Sequence, residues 1–191
     1  MLETMKKPVG IINLYSHKDS LEFVSLSKED PKMGYFIIPK EKILKEYHAK
    51  NLIVANGSIL MAKRMVPGTS WGKGISYLDV GTGYGTGTLQ SPQVEEISQT
   101  ELRVVLARKA ITSWCFIDMN GDPTVSDTDT IELTTTFADA EAVGAIVEMG
   151  LFGGADATIT AGTGLMFNYK VFAVWNKPND SQLTIVWRIK F

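Results

Sequence analysis

The spacing of apolar and polar residues follows the two-residue period of β-strands over much of the chain. Successive side chains of a strand point to opposite faces, so an element with one buried face alternates in polarity. Segment 183–191 shows this most clearly. Its apolar face consists of Leu183, Ile185, Trp187, Ile189 and Phe191. Its opposite face includes Thr184, Arg188 and Lys190.

Other segments also have the apolar or β-branched composition of strands: 9–12, 21–26, 35–38, 75–80, 104–117, 131–137, 143–152 and 165–175. We expect the first two to be edge strands joined by a polar turn, and 104–117 to be one long strand bent at Arg108 and Lys109. Turns rather than long helices separate most of these segments. The sequence therefore predicts a mainly β fold, an antiparallel β-sandwich of the jelly-roll type.

The N-terminal portion, residues 1–65, is less regular than the rest. Segment 51–65 indicates a strand that turns at Asn56-Gly57 into a short helix, and the spacing in 41–50 fits either a helix or a strand. We therefore expect residues 1–65 to form a small mixed α/β portion that packs against a β-sandwich domain at 66–191 or attaches it to a partner.

Composition excludes several classes of function. The chain has 191 residues, 45% of them hydrophobic, which is enough for a substantial core. A net charge of -2 provides no basic field for nucleic acid, and no apolar run approaches the ~20 residues of a membrane span. Residues 1–7 lack the apolar core of a signal peptide, so we expect synthesis in a cytoplasm.

Cysteine and histidine are too scarce for most metal or thiol chemistry. The single cysteine, Cys115, lies among apolar residues, which is typical of a small buried side chain. The only histidines are His17 and His48, so we expect no histidine metal site. Segment 118–123 imitates the start of a calcium loop, but Pro123 occupies the position of the required glycine, so a simple turn is favoured.

Alternating glycines follow the apolar segment 75–80. The pattern Asp79-x-Gly81-x-Gly83-x-Gly85 resembles the glycine motif of S-adenosylmethionine-dependent methyltransferases, which implies a cosubstrate held by backbone N–H groups. That family requires an amphipathic helix directly after the glycines and then a second buried strand ending in an acidic residue. Neither follows here, so we favour a turn, predict no cofactor and keep the methyltransferase as an alternative.

Glu148 lies within an otherwise apolar strand pattern. Because its two sequence neighbours are apolar, alternation predicts that its side chain faces solvent. The alternative is a buried carboxylate paired with Arg103, Arg108 or Lys109, which would be structural and not catalytic.

Segment 171–175 carries apolar side chains on both faces, although a sandwich strand needs only one buried face. The second face would be covered either by the N-terminal portion or by another subunit. On the latter interpretation, the candidate assembly residues are Val171, Phe172, Val174 and Trp175, together with Gly81, Gly83 and Gly85 of the glycine-rich loop.

The order of several short motifs resembles small virion proteins of tailed bacteriophages, found among tail-fibre-like, baseplate and head-decoration components. The motifs lie at 48–54, 75–83, 101–112, 148–154 and 183–188. The resemblance covers roughly residues 47–191. It implies a non-enzymatic β-sandwich that assembles in a virion with copies of itself and with other virion proteins, in the tail, baseplate or neck or as a head decoration.

A receptor-binding module that recognises a host-surface glycan is a third hypothesis. It would require aromatic side chains on an exposed surface. The four tryptophans are more typical of a core or of a subunit interface: Trp71, Trp114, Trp175 and Trp187.

Overall fold

A computed structural model describes residues 9–65 and 73–191 of the chain. Strands dominate these residues. In chain order they are β1 (Val9–His17), β2 (Glu22–Ser25), β3 (Gly34–Ile37), β4 (Ile43–Ile53), β5 (Lys73–Gly81), β6 (Val105–Ala110), β7 (Ser113–Ile117), β8 (Pro123–Thr124), β9 (Thr130–Phe137), β10 (Gly144–Gly154), β11 (Leu165–Lys177) and β12 (Gln182–Lys190). One α-helix, α1 (Ala55–Met65), follows β4. A short 3-10 turn, Lys40–Lys42, precedes β4.

Ten strands form one antiparallel sheet in the order β6-β5-β10-β11-β4-β1-β12-β9-β7-β8, and β2 and β3 form a separate hairpin. The prediction of a mainly β, antiparallel fold is therefore confirmed. Strand β4 links two groups of strands, since residues 43–51 pair with β1 whereas Leu52 and Ile53 pair with β11. We call β5, β6, β10 and β11 the first half, and β1, β7, β8, β9 and β12 the second half.

Both halves contribute to one hydrophobic core. Buried members from the first half include Leu78, Val80, Ile146, Met149, Phe172 and Trp175. Members from the second half include Ile12, Leu14, Leu133, Phe137, Ile185 and Trp187. The predicted apolar face of the last strand is confirmed for four of its residues, whereas Phe191 is 50% exposed.

The prediction of one bent strand at 104–117 is wrong. The chain leaves β5 after Ala110, the last residue of β6 that pairs with β5, and continues as β7 in the second half. At the break, Ile111 donates its N–H to Ser76 of β5, and Thr112 donates to Thr134 of β9. The buried side chain of Ile111 thus marks the crossing between the halves, not the charged pair.

The N-terminal predictions also need correction. Strand β1 is not at an edge, because it lies between β4 and β12. Residues 43–53 form a strand, and α1 already begins at Ala55, so Asn56-Gly57 lies inside the helix. A Cβ at Gly57 would lie 2.0 Å from the carbonyl oxygen of Phe167, so this glycine permits close packing of α1 on β11 and makes no turn.

The predicted boundary between residues 65 and 66 coincides with the end of α1. Strands on both sides of this boundary share one sheet, in which β4 and β1 lie between β11 and β12. Trp71 and residues 1–7, considered in the sequence predictions, lie outside the described residues. Within the described ranges, no helix combines the length and apolar character needed to span a membrane.

Candidate functional site

The glycine-rich segment leads into a long irregular loop, residues 82–104, which we call the glycine loop. Strand β5 ends at Gly81 and β6 begins at Val105, so the loop connects two neighbouring antiparallel strands. Its ends meet where Thr82 donates its N–H to the carbonyl oxygen of Val104 at 2.9 Å. The loop is therefore a long excursion from a strand pair and does not lead into a helix.

Glu148 lies at the base of this loop and is fully buried. In β10 it is paired with Gly81 of β5 on one side and with Val171 of β11 on the other. Each of its two carboxylate oxygens accepts two hydrogen bonds. The donors to Oε1 are the N–H groups of Gly83 (3.0 Å) and Val104 (2.9 Å). The donors to Oε2 are the N–H of Arg103 (3.0 Å) and the hydroxyl of Tyr169 (2.6 Å).

The expectation that Glu148 faces solvent is wrong, because β10 lies in the middle of the first half and both of its faces are covered. The alternative of a buried carboxylate is correct, and of its three predicted partners Arg103 contacts it, although not through its charge. Arg103 contributes its main-chain N–H, and Arg108 and Lys109 do not contact this carboxylate. Four donors can offset much of the cost of burying the charge.

The glycines leave room for this carboxylate. A Cβ on Gly81 would lie 2.5 Å from the carbonyl oxygen of Val104, and one on Gly83 would lie 2.6 Å from Oε1 of Glu148. Gly85 has φ +63 and packs against Gln93, so it needs glycine for conformation as well as for space. The glycine pattern thus reflects close packing around Glu148.

One basic side chain, Arg103, and one aromatic side chain, Tyr169, complete the hydrogen-bond network around Glu148. Arg103 donates from its guanidinium to the carbonyl oxygens of Gln93 and Val94, and its guanidinium carbon lies 5.6 Å from the centre of the Tyr169 ring. Burial, and then the neighbouring Glu148, raise the pKa of Tyr169. The phenol therefore stays protonated and remains a donor to Glu148.

A second acidic residue, Glu95, fixes the middle of the glycine loop to β11. Its Oε1 accepts from Lys170 Nζ at 2.5 Å and from the N–H of Val171 at 3.1 Å. Burial acts to raise the pKa of Glu95, but the hydrogen bonds, led by that of Lys170, outweigh it and lower the pKa. The loop is consequently held by Glu95 and by Glu148, and also at α1, where Ala55 donates its N–H to the carbonyl oxygen of Ile97 at 2.9 Å.

The predicted assembly residues of β11 lie beside this network. Val171, Phe172 and Trp175 are buried within the chain, whereas Val174 is half-buried. The ring of Phe172 packs on Tyr47, and Lys45 Nζ lies 4.1 Å from the centre of the Trp175 ring. The described N-terminal strands therefore cover part of this surface.

Simple alternation does not hold in 171–175. The pairing between β10 and β11 shifts from Ile146–Trp175 to Glu148–Val171, so β11 carries extra residues there. This β-bulge places Phe172 and Trp175 together in the main core. Val171 belongs to a smaller cluster with Tyr169 on the other face.

The acidic residue of the glycine pattern, Asp79, is also buried. Its Oδ2 accepts from Arg108 at 3.0 Å, and both side chains are almost inaccessible to solvent. Arg108 also donates to the carbonyl oxygens of Thr158 and Thr163, and so fixes the loop between β10 and β11. Burial raises the pKa of Asp79 to about 6, against the lowering effect of Arg108.

These carboxylates are poorly placed for chemistry on a ligand. Glu148 is saturated with protein donors, and Asp79 pairs with Arg108 below the surface. Burial, more than the nearby charge of Glu132, raises the pKa of the inaccessible thiol of Cys115 to about 12. Within residues 9–65 and 73–191, no group of three or more His, Cys, Asp or Glu side chains could hold a metal ion.

The comparisons with known proteins leave the site to be interpreted from its geometry. No protein-family model, curated protein or solved structure matches the chain.

The outer surface of the glycine loop presents hydrophobic side chains among exposed polar ones. Four of its hydrophobic side chains are substantially exposed: Tyr84 (43%), Val94 (71%), Ile97 (52%) and Val104 (54%). Sequence reasoning named Glu148 and Arg103 only as an alternative buried pair, missed Glu95 and Tyr169, and connected none of the four with the support of this loop. The available signal was one carboxylate in a strand that is apolar on both faces.

We predict that Gly83→Ala lowers the free energy of unfolding by about 1 to 3 kcal/mol, because the new methyl group overlaps the carboxylate of Glu148. Gly74→Ala is the matched control, since a Cβ there meets no atom within 4 Å and the expected change is below about 0.5 kcal/mol. Urea denaturation measures both. Equal losses in the two variants would contradict the proposed role of Gly83.

The raised pKa of Asp79 predicts a specific pH dependence. Between about pH 4 and pH 6 the folded chain binds this proton more tightly than the unfolded chain, so the contribution of Asp79 to stability falls as pH rises. The stability of the wild type minus that of Asp79→Asn should therefore decrease by up to about 3 kcal/mol across this window in urea denaturation.

Asp118→Asn provides a control of opposite sign. The N–H of Asp122 lowers the pKa of Asp118, so the stability of the wild type minus that of this variant should decrease as pH falls. A difference between wild type and Asp79→Asn that is constant from pH 4 to 6.5 would contradict the interpretation of Asp79.

Proposed function

We propose that this chain is a non-enzymatic structural subunit of a tailed-bacteriophage virion. It is repeated in the tail, baseplate or neck, or decorates the head, and its partners are further copies of itself and other virion proteins. The virion setting comes from the order of the sequence motifs. The observation that carries the assembly role is the glycine loop, which exposes four hydrophobic side chains and is fixed from below by Glu95 and Glu148.

The motifs behind the resemblance contribute to one sheet. They fall on β4, on β5 and the start of the glycine loop, on β6, on β10 and on β12. Asp79 of the second motif pairs with Arg108 of the third, and Glu148 of the fourth accepts from Gly83 of the second. Their order along the chain therefore reflects one connected packing arrangement, which supports treating them as a set.

In this proposal the two halves of the sheet face each other as a β-sandwich. Three observations favour this arrangement. Side chains of both halves share one core, β4 joins the halves at one margin, and Ile111-Thr112 joins them at another. A sheet that passes between two layers at its corners is common in sandwiches.

The exposed apolar side chains of the glycine loop are suited to contact with a neighbouring subunit. Exposed hydrophobic patches on a folded protein often mark interaction sites. Because hydrogen bonds to Arg103, Glu95 and Glu148 already order the loop, association would cost little further conformational entropy. Repetition in a symmetric particle would multiply modest contacts.

A methyltransferase would use the same loop differently. It would direct backbone N–H groups of the glycines to a cosubstrate, whereas here Gly83 donates to Glu148 and Gly87 donates to Tyr84. We therefore expect calorimetric titration with S-adenosylmethionine to show no binding tighter than about 1 mM. Micromolar binding that is lost in Gly83→Asp would support the methyltransferase instead.

The structural role predicts multiple copies of the chain in each particle of a phage that encodes it. Mass spectrometry of purified virions would give the copy number, and cryo-electron microscopy would show symmetry-related density on the head or tail. Absence of the chain from purified virions would contradict the proposal.

Substitutions in the same particles test the glycine loop. We expect Val94→Asp with Ile97→Asp to lower incorporation by about tenfold, since two exposed apolar contacts become charged. Met119→Asp is the control, because Met119 is 96% exposed on a different turn, and its incorporation should equal that of the wild type. Equal incorporation of both variants would exclude the loop as the assembly surface.

A further inference from the structure

A second feature lies on the second half, away from the glycine loop. A cleft of about 290 Å³ separates the β2–β3 hairpin from the outer face of β1, β9 and β12. Tyr35 and Phe36 of β3 line one side of the cleft, and Tyr15, Glu132 and Arg188 line the opposite side. It therefore combines aromatic rings with a charged pair in one small cavity.

The sheet register explains why polar side chains face this cleft. Arg188 of β12 is opposite Glu132 of β9, whereas the adjacent pair, Trp187 and Leu133, is buried in the core. Alternation thus directs Arg188 and Glu132 outward. Asn13 of β1 is in the neighbouring row of the same outer surface.

The hairpin wall is attached to the sheet. Trp114 of β7 donates its main-chain N–H to Lys32 at 2.9 Å and its indole N–H to Asp30 at 3.2 Å. Within the hairpin, the ring of Phe36 packs against that of Phe23 with centres 5.1 Å apart. The hairpin is therefore held beside the sheet before any ligand arrives, which lowers the cost of binding.

The opposite wall offers oriented donors and acceptors. Arg188 Nε donates to Glu132 Oε2 at 2.6 Å, which fixes both planar groups. This bond uses only Nε, so the terminal nitrogens of Arg188 can donate to a ligand. Gly121 lies beside one of them: a Cβ on this glycine would be 3.8 Å from the Nη1 atom of Arg188. The backbone of Gly121 has φ +91, a conformation that favours glycine.

Tyr15 and Asn13 add further polar groups. Burial, assisted by Glu46 and Glu132, raises the pKa of Tyr15, so its hydroxyl remains a donor. Its ring packs edge-on against His48, with ring centres 6.0 Å apart. His48 Nδ1 also lies 2.6 Å from Asn13 Oδ1, which holds the Asn13 amide in place.

We propose that this cleft binds a single neutral sugar ring of a carbohydrate. A pyranose has an apolar C–H face that packs on an aromatic ring, and hydroxyl groups that need donors and acceptors together. The Glu132–Arg188 pair supplies both. The volume is near the lower end of the range for ligand pockets, ~300–1,000 Å³, which suits one ring with the remaining chain outside.

Charge distinguishes a neutral sugar from an acidic one. Among the residues that the structure describes, Glu132 and Asp122 border the cleft together with one cation, Arg188, which is already paired. A carboxylate or phosphate entering the cleft would therefore meet an excess of negative charge. The binding site does not depend on the assembly role proposed above, so each can fail without the other.

Saturation-transfer NMR on the intact chain tests the proposal. The probes are methyl α-glucopyranoside, methyl β-galactopyranoside and N-acetylglucosamine, with methyl β-glucuronide as the acidic counterpart. We expect at least one neutral probe to bind with a dissociation constant on the order of 1 mM, and the glucuronide to bind about tenfold more weakly or not at all.

Two variants locate the binding. Tyr35→Ala removes an aromatic ring from the lining of the cleft, and Glu132→Gln removes the charged acceptor. Each should weaken the binding of the neutral probe by about tenfold. Tyr84→Ala is the matched control, because Tyr84 is 43% exposed in the glycine loop, and its affinity should equal that of the wild type. Near-ultraviolet circular dichroism verifies that each variant is folded.

Three results would overturn the proposal: no binding of any neutral probe, equal binding by the wild type and folded Tyr35→Ala and Glu132→Gln, or preference for the glucuronide.

Discussion

The buried carboxylate of Glu148 is the constraint on which the first half of the fold depends. An ionised carboxylate away from water is costly unless donors surround it, and here four donors do so. Three come from the two ends of the glycine loop, next to β5 and β6, and one from β11, so these strands are held together around β10. The lack of side chains at Gly81 and Gly83 and the hydroxyl of Tyr169 both follow from this requirement.

The local pattern of polar and apolar residues was sufficient to predict a strand and its buried face where only one face of the strand is buried. The last strand was predicted correctly because β12 buries Leu183, Ile185 and Trp187 in the shared core and directs Arg188 outward. The same rule failed for Glu148, because both faces of β10 are covered and alternation then carries no direction. A charged residue in such a strand indicates a buried network, but its donors are distant in sequence.

The remaining errors occurred where a non-local contact determines the local conformation. Asn56-Gly57 has the composition of a turn, yet Gly57 lies within α1 because the helix packs directly against Phe167. Simple strand alternation would place Phe172 and Trp175 on opposite faces of β11, yet a β-bulge brings both side chains into the same core. The break at Ile111 likewise depends on partners in β5 and β9. None of these partners is visible in the short-range pattern.

The glycine pattern shows how one composition can serve two kinds of site. A loop that binds a cosubstrate keeps its N–H groups unpaired and directed at the ligand. In this chain Thr82 donates to Val104, and Gly83 donates to Glu148, so these main-chain groups are directed into the protein. What the loop presents outward is side-chain surface, including Val94 and Ile97. In the proposed assembly role, these apolar side chains would pack against a neighbouring subunit and exclude water from the contact.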